Sequence, residues 1–244
     1  MGVIRTGEGE IPAPERALIV VAHPDDIDFG MAGTVAALTS AGCHVAYCLA
    51  TSGEAGDDDL SRSSEELAAM RQAEQTAAAA RVGVSELHWL GHPDGMVVAS
   101  LDLRRDIARA IRITRPEVVL CQTSVPNWDH IYISHPDHLA TATAALAAVY
   151  PDSRNPRAFP ELLDEGHEPH GVAEIWLVGT EPNRWIDITD TFDRKVAALR
   201  EHRSQTAEMA DLEGRLREWC TASAEAADMP AGRLAEAFRV VAAG

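Results

Sequence analysis

The chain has 244 residues, 38 of them Asp or Glu and 21 Lys or Arg, so its formal net charge is -17. No basic stripe offsets this charge, which argues against nucleic acid and anionic membrane surfaces as partners. Residues 1–14 lack the basic and apolar regions of a signal peptide, and no later run of about 18 apolar residues could span a bilayer. We therefore expect a cytoplasmic protein that does not bind membranes.

The composition is that of a globular protein with a sizeable core. Apolar residues make up 46% of the chain, which is an ordinary share for such proteins. The four cysteines lie in apolar or helical surroundings without CxxC spacing, at Cys43, Cys48, Cys121 and Cys220. Buried free thiols are therefore expected rather than disulfides or a cysteine-type zinc site.

Six apolar runs predict strands, and helical patterns alternate with them. The predicted strands cover residues 17–22, 44–50, 86–90, 117–121, 173–179 and 185–188. The predicted helices cover residues 30–41, 61–81, 101–114, 139–150, 190–205 and 207–227. Residues 151–171 hold four prolines and predict an irregular excursion. Because neither an internal repeat nor a domain boundary is found, the pattern predicts one α/β domain over residues 1–244.

The first predicted strand stops abruptly at His23-Pro24-Asp25-Asp26. In open α/β sheets, chemistry collects at the carboxyl ends of the strands. A histidine and two carboxylates on one turn form a natural start for a metal site with an adjacent base. Taken alone, such a turn is better explained by the intrinsic turn-forming tendency of Asp and Pro.

A second His-Pro-Asp motif favours a metal site over a simple turn. His135-Pro136-Asp137-His138 lies at the N-terminus of a predicted helix. Together, His23, Asp26 and His138 would form a three-ligand site with an open position for water, which is the pattern of catalytic zinc. Asp25 then remains as a candidate base beside the metal. We expect Asp137 to hold His135 protonated, so that His135 stabilises a developing oxyanion or protonates a leaving amine.

Other polar residues near the carboxyl ends of the predicted strands are less specific signals of a functional site. Further polar turns follow two more strands and contain Ser52, Glu54, His92 and Asp94. His130, in the loop before the second motif, is equally compatible with loop packing and with substrate contact. His202 lies near a helix end, where a histidine is normally a partner of the helix dipole.

The two motifs carry a resemblance to a known family. Residues 22–30, read as Ala-His-Pro-Asp-Asp-Ile-Asp-Phe-Gly, and residues 135–138 are similar to the motifs of the PIG-L/LmbE-type zinc-dependent N-deacetylases. Weaker matches follow in the family's order, at Thr51 to Glu54, Arg71 with Glu74, Asp94-Gly95, and Lys195 through Gln205. The resemblance implies a single Rossmann-like α/β domain, with a mostly parallel sheet and helices on both faces.

The resemblance also implies a role for each motif residue. The zinc ligands would be His23, Asp26 and His138, and Asp25 would be the general base. His135 would be the electrostatic and acid partner, with Asp137 as its orienting carboxylate. Arg71 and Asp94 fall where family members contact the sugar.

Two positions depart from the family pattern. Where the family commonly has Glu just after the paired Asp residues, this chain has Ile27 and then Asp28, so a supporting role would fall to a shorter carboxylate. Where some members place a Tyr before the second motif, this chain has Ile133, with Tyr132 adjacent.

We predict a metal-dependent amidohydrolase with Zn²⁺ as cofactor. The resemblance implies removal of acetate from an N-acetylated amino sugar or GlcNAc-containing conjugate, and nitrogen and oxygen ligands also tolerate other divalent ions. Within the family, a mycothiol-conjugate-type amidase is the alternative. A non-catalytic Rossmann-like nucleotide-binding module is the alternative of another class, and it is disfavoured because no GxGxxG follows the first strand. The exact substrate and the existence of a homo-oligomer are left open.

Overall fold

The computed structural model describes residues 2–129, 131 and 134–244. Its strands are β1 (Val3–Thr6), β2 (Gly9–Pro12), β3 (Arg16–Val21), β4 (His44–Leu49), β5 (Glu86–Trp89), β6 (Val118–Gln122), β7 (Glu174–Val178), β8 (Arg184–Asp187) and β9 (Ala235–Ala242). Its helices are α1 (Asp26–Gly30), α2 (Ala32–Ser40), α3 (Ser64–Arg81), α4 (Leu101–Thr114), α5 (Pro136–Ala147), α6 (Glu161–Asp164), α7 (Phe192–Leu199), α8 (Arg203–Thr206) and α9 (Leu212–Ala226). Within the described ranges, no helix is both long enough and apolar enough to cross a membrane.

The strands form one sheet in the order β2-β1-β8-β9-β7-β6-β3-β4-β5. From β7 to β5, neighbouring strands run parallel. The connections leave β3 in opposite directions, since the chain moves from β3 to β4 and β5 and then crosses back to β6 and β7. The carboxyl ends of β3 and β6 therefore flank a topological switch point, where ligands bind in open α/β sheets.

The other half of the sheet is antiparallel, so the prediction of a mostly parallel sheet is wrong. In the described part of the chain, four neighbouring pairs are antiparallel, between β2 and β1, β1 and β8, β8 and β9, and β9 and β7. The eight-residue β9 pairs with β7 through residues 239–242 and with β8 through residues 235–238. The end of the chain thus returns against the open edge of β7 and satisfies backbone groups that would otherwise be unpaired.

Two apolar layers lie on opposite faces of the sheet, because successive side chains of a strand point to opposite sides. In β3, Ile19 and Val21 belong to the layer that includes residues of α2, α3, α7 and α9. Leu18 and Val20 belong to the layer that includes residues of α4 and α5. Helices therefore cover both faces. The four cysteines are free and buried, as expected.

Several elements differ from the sequence-based prediction. The polar lead-in contains the β1–β2 hairpin, and the C-terminal strand β9 was not predicted. The helix predicted over residues 190–205 is divided into α7 and α8. Helix α1 begins at Asp26 itself, so the first motif leads straight from β3 into a short helix. The excursion at 151–171 is irregular apart from α6 and the end of a π-helical turn, Ala148–Asp152.

Candidate active site and metal centre

The two His-Pro-Asp motifs meet at the switch point of the sheet. The first follows β3 and enters α1, and the second begins α5, which lies after β6. The ring centroids of His23, His135 and His138 lie 4.9 to 5.3 Å from one another. The structure thus brings together imidazoles that are more than 100 residues apart in the chain, as expected for a site at this edge.

Three ligand-type side chains lie within contact distance of one another. His23 Nδ1 lies 3.1 Å from His138 Nε2, and His138 Nε2 lies 2.9 Å from Asp26 Oδ1. Asp26 Oδ2 lies 3.6 Å from His23 Nδ1. Two imidazole nitrogens and a carboxylate at these separations can share a cation, and an N,N,O donor set suits zinc with an open coordination position. The residues therefore fit the metal that the sequence predicts.

Two further groups of ligand-type side chains overlap this centre. Each has its ligand-type atoms within 4.8 Å of one another: His23 with His135 and His138, and His23 with Asp94 and Asp137. His23 belongs to both groups, so it is the common member of a wider cluster. The side of His23 that faces His138 carries the Asp26 carboxylate, and the other side carries those of Asp94 and Asp137.

Carboxylates hold the second nitrogen of His23. Its Nε2 lies 3.0 Å from Asp94 Oδ1 and 3.3 Å from Asp137 Oδ2. Metal-binding histidines commonly donate their other ring N–H to a carboxylate, which fixes the tautomer. Burial would lower the pKa of His23, but its bonds to Asp26 and Asp94 outweigh this effect and raise the pKa to about 10. The surroundings of His23 therefore favour positive charge at this point.

Asp137 and Asp94 are themselves fixed by backbone amides. The buried Asp137 carboxylate accepts hydrogen bonds from Gly95 N at 2.7 Å and Val97 N at 3.2 Å. Asp94 accepts one from Ala55 N at 2.9 Å. Burial would raise the pKa of Asp94, but His23 and this amide lower it to about 2. The loop after β5 therefore forms a rigid wall of the site.

Asp25 occupies a different environment from its neighbour Asp26. Its backbone is left-handed, with φ of 84°, a conformation that is uncommon for a residue other than glycine. Its amide donates to Gln75 Oε1 at 2.9 Å, and its carboxylate accepts from Arg71 Nη2 at 3.2 Å. Burial and the charge of Asp26 raise the pKa of Asp25 to about 7, against the opposing charge of Arg71. A carboxylate of this kind is suited to exchange protons near neutral pH.

A buried polar network supports the turn that carries Asp25. Gln75 Nε2 donates to Asp28 Oδ2 at 2.9 Å, and the same oxygen lies 2.8 Å from His202 Nε2. All three side chains are buried. Asp28, at the position where the family commonly has Glu, thus links Gln75 and His202. His202 contacts Asp28 of its own chain and begins a helix, so its interpretation as a C-terminal dipole partner is wrong.

His135 is held by the backbone of the helix that it begins. Its Nδ1 accepts a hydrogen bond from Asp137 N at 3.2 Å, so a neutral His135 carries its proton on Nε2. Burial and the charge of nearby His23 lower the pKa of His135. The expectation that Asp137 holds His135 protonated therefore does not agree with the structure, because the Asp137 carboxylate faces Gly95, Val97 and His23 instead.

The two residues expected to contact the sugar are largely buried. Arg71 donates to Gly53 O and Pro24 O at 2.9 Å each, besides its contact with Asp25. The side chain of Asp94 is 7% exposed and contacts His23. Their described contacts hold the catalytic turns, and sugar contact stays a prediction. His130, Tyr132 and Ile133 lie outside the described residues.

Sequence reasoning missed Gln75 and the amides of Gly95 and Val97. Gln75 follows Arg71 by four residues, so both lie on one face of α3, which is the signal that could have identified it. The amides of residues 95 and 97 leave no signal in the sequence. Of the other polar turns, Glu54 accepts from Asp94 N at 2.9 Å and Ser52 accepts from Gln72 at 2.7 Å, whereas His92 contacts Asp106.

Comparison with known proteins agrees with this geometry. The family model for PIG-L, described as GlcNAc-PI de-N-acetylase, matches residues 18–149, which is more than half of the chain. Diacetylchitobiose deacetylase of Thermococcus kodakarensis is 33% identical over 195 residues, covering 80% of this chain and 71% of that protein. A 1D-myo-inositol 2-acetamido-2-deoxy-alpha-D-glucopyranoside deacetylase of Saccharopolyspora erythraea is 30% identical over 240 residues, covering 78% and 83%.

A solved structure shares the fold almost throughout. N,N'-diacetylchitobiose deacetylase from Pyrococcus horikoshii superposes with a TM-score of 0.85 at 32% identity, covering 94% of this chain and 85% of that chain. The fold, the paired motifs and these relatives together define an N-deacetylase. The chain belongs to the PIG-L family of de-N-acetylases. The predicted resemblance and the predicted enzyme class, a hydrolase of N-acetylated amino sugars or their conjugates, are confirmed.

Proposed function

We propose that this enzyme uses a divalent metal, with zinc preferred, to hydrolyse the acetamide of a GlcNAc-containing sugar or conjugate. The observation that carries the proposal is the convergence of His23 Nδ1, His138 Nε2 and the Asp26 carboxylate, with the separate carboxylate of Asp25 beside them. The relatives that act on diacetylchitobiose and on an inositol-linked amino sugar support the substrate class.

His23, Asp26 and His138 would hold the metal. When bound, the metal polarises the amide carbonyl and lowers the pKa of water. Asp94 and Asp137 would keep the His23 ring in place through its Nε2. Other divalent ions that accept nitrogen and oxygen ligands are compatible with this set.

Asp25 would act as the general base, because burial and the charge of Asp26 raise its pKa to about 7. The oxygen of a water molecule bonds to the carbonyl carbon while Asp25 accepts a proton from it. The C–N bond then breaks, and the leaving nitrogen receives both protons of the water by way of Asp25. Acetate and an ammonium group remain, so atoms and charge balance. Arg71 and Gln75 would keep the Asp25 carboxylate aimed at the site.

His135 would stabilise the charge that develops on the carbonyl oxygen. In the neutral form fixed by the Asp137 amide, its Nε2–H is available as a donor. Asp137 would orient His135 through this amide, and its carboxylate would steady His23. The sugar would bind on the side of the site that carries Arg71 and Asp94.

Metal analysis combined with an acetate-release assay tests this function. Purified enzyme should hold about one zinc ion per chain, and it should release acetate from N-acetylglucosamine, diacetylchitobiose or GlcNAc-inositol. A thiol conjugate whose acyl group carries the sulfur is assayed beside them by the release of the free amine. Cleavage of the thiol conjugate alone would favour the mycothiol-conjugate-type amidase. Protein without metal that a dinucleotide stabilises against heat would favour a nucleotide-binding module instead. The single domain over residues 1–244, the cytoplasmic location and self-association stay predictions.

A further inference from the structure

An apolar cavity adjoins the metal centre on the side away from Asp94. It has a volume of about 330 Å³, and Asp26 and His138 form part of its wall. Its apolar lining residues are Phe29, Val125, Leu139 and Val178, and its polar lining residues include Gln122, Thr123 and Ser134. The cavity therefore begins at two of the proposed metal ligands and continues toward the ends of β6 and β7.

The position of the cavity relates it to the reacting amide. A secondary amide carbonyl carbon carries the nitrogen on one side and the acyl chain on the other. The polar wall that contains Asp94 and Arg71 lies on the side of β4 and β5, where we place the sugar. With the sugar bound there, the acyl chain would point to the side of β6 and β7, into the apolar cavity.

The volume is much larger than an acetyl group needs. A methyl group is roughly the size of a water molecule, whose share of liquid volume is about 30 Å³. A cavity of 330 Å³ falls within the range of small-molecule sites, about 300–1,000 Å³, which are mostly apolar with few polar groups. Acetate would leave most of this apolar surface without a partner.

We propose that this cavity binds the aliphatic chain of an N-acyl group, and that the enzyme hydrolyses N-acyl amino sugars with chains of about four to six carbons. The inference rests on the proposed function, because it uses the same carbonyl position. The reaction is the same hydrolysis, in which the water oxygen enters the carboxylate and both of its protons leave on the amine. Only the chain attached to the carbonyl carbon differs.

A series of N-acyl glucosamines tests the proposal with the metal-loaded enzyme. We expect kcat/KM to rise from N-acetyl through N-butanoyl to N-hexanoyl, by up to about fourfold for each buried methylene. A kcat/KM for N-hexanoylglucosamine below that for N-acetylglucosamine would overturn the proposal while leaving the deacetylase function intact. If none of the three sugars is hydrolysed, the proposed function on these sugars is overturned, and so is this inference.

Gly30 offers a way to fill the cavity. A Cβ built on this residue would meet only Val178 Cγ2, at 3.8 Å, so a larger side chain has room to enter. We expect Gly30→Leu to lower the ratio of kcat/KM for hexanoyl over acetyl at least tenfold. Gly171→Leu is the matched control, because a Cβ there meets only Arg154, at 3.6 Å or more, and the residue does not line the cavity.

The Gly30→Leu variant also tests whether the cavity binds the acyl chain or the leaving sugar. A thermal melt shows whether Gly30→Leu is folded, and the acyl series on the unmodified enzyme does not depend on this variant. An unchanged hexanoyl-to-acetyl ratio in folded Gly30→Leu would overturn the proposal. A changed preference between N-acetylglucosamine and diacetylchitobiose, with the acyl ratio unchanged, would assign the cavity to the leaving sugar and overturn it as well.

Discussion

Two adjacent carboxylates of this site have different environments. Asp26 faces His23 and His138, and their bonds lower its pKa although burial opposes this. Asp25 faces Arg71 and Gln75, and burial raises its pKa. Neighbouring carboxyl groups whose pKa values move apart are typical of sites in which one group holds charge and the other moves protons. The backbone of Asp25 is left-handed, and this residue contacts Arg71 and Gln75, whereas Asp26 contacts His23 and His138.

Gln75 should be a positioning residue for Asp25. Its amide accepts from Asp25 N and donates to Asp28, so it stabilises a backbone conformation that otherwise costs about 1–3 kcal/mol. We expect Gln75→Leu to lower kcat about tenfold or more, since a buried hydrogen bond left unsatisfied costs roughly 1–3 kcal/mol. KM and bound zinc should change little. Steady-state kinetics and metal analysis measure these quantities.

Gln72→Leu is the control for this variant. Gln72 lies one turn earlier on α3 and bonds to Ser52 rather than to Asp25. Its replacement should leave kcat within about twofold of the parent, as for substitutions that do not touch the acting groups. A Gln75→Leu enzyme with full kcat, or one that loses zinc in proportion to activity, would show that Gln75 does not act through Asp25.

At the residue scale, the sequence predicted those site residues that lie in short motifs. His23 to Asp26 and His135 to His138 each follow a strand, so the rule for strand ends predicts that they meet. The partners of Asp25 could not be found in this way. Gln75 shares a face of α3 with Arg71, but the sequence does not show that this face packs against the turn that carries Asp25. The protonation of His135 depends on which of its nitrogens the helix amide contacts.

At the scale of elements, the short helix α1 depends on a buried ion pair. Lys195 of α7 donates to the carbonyls of Asp28 and Phe29 and to Glu236 Oε1. Glu236 of β9 accepts from the first amides of α2, at Gly33 and Thr34. A cation thus meets the carbonyl end of α1, and an anion meets the amide end of α2, as the helix dipoles favour.

Replacing Glu236 with Leu should be strongly destabilising. The change leaves Lys195 buried without its counter-charge, and breaking a buried pair costs about 3–5 kcal/mol. Urea unfolding measures the loss. The double variant Lys195→Met with Glu236→Leu should lose less than the sum of the two single variants, because neither charge is left alone. Additive losses would indicate that the two residues do not act as a pair.

The strand β9 shows why elements were predicted unevenly. Strands of the parallel half are continuous apolar runs and were predicted from local sequence. β9 begins Ala-Glu-Ala, with little β-branched character. It is ordered by pairing with β8, about 50 residues earlier, and with β7, more than 60 residues earlier. Such long-range pairing is invisible to a local pattern, so both the strand and the antiparallel half of the sheet were missed.

At the scale of the whole molecule, the metal centre would join two parts of the fold. Its proposed ligands come from the turn after β3 and from the start of α5, which the chain reaches only after crossing the sheet. A ligand that binds the folded state alone stabilises that state. The centre should therefore contribute to stability as well as to chemistry.

Removal of the metal should lower Tm together with activity. We expect a chelator to abolish acetate release and to lower Tm by several degrees, and added Zn²⁺ to restore both. The same chelator should leave the Tm of Asp26→Asn nearly unchanged, because that variant has already lost its metal. An unchanged Tm of the parent enzyme, with metal shown to be removed, would contradict a role for the centre in joining these elements.

The most direct test of separate roles for the two carboxylates compares Asp25→Asn with Asp26→Asn. Bound zinc and the rate of acetate release are measured in the same preparations. Asp25→Asn should keep its zinc and lose about 10²- to 10⁴-fold in kcat, the range typical of a lost general base. Asp26→Asn should lose zinc first, and its activity should recover in part at high zinc concentration. Equal loss of zinc in both variants, or full activity in Asp25→Asn, would contradict the assignment of separate roles to the two carboxylates.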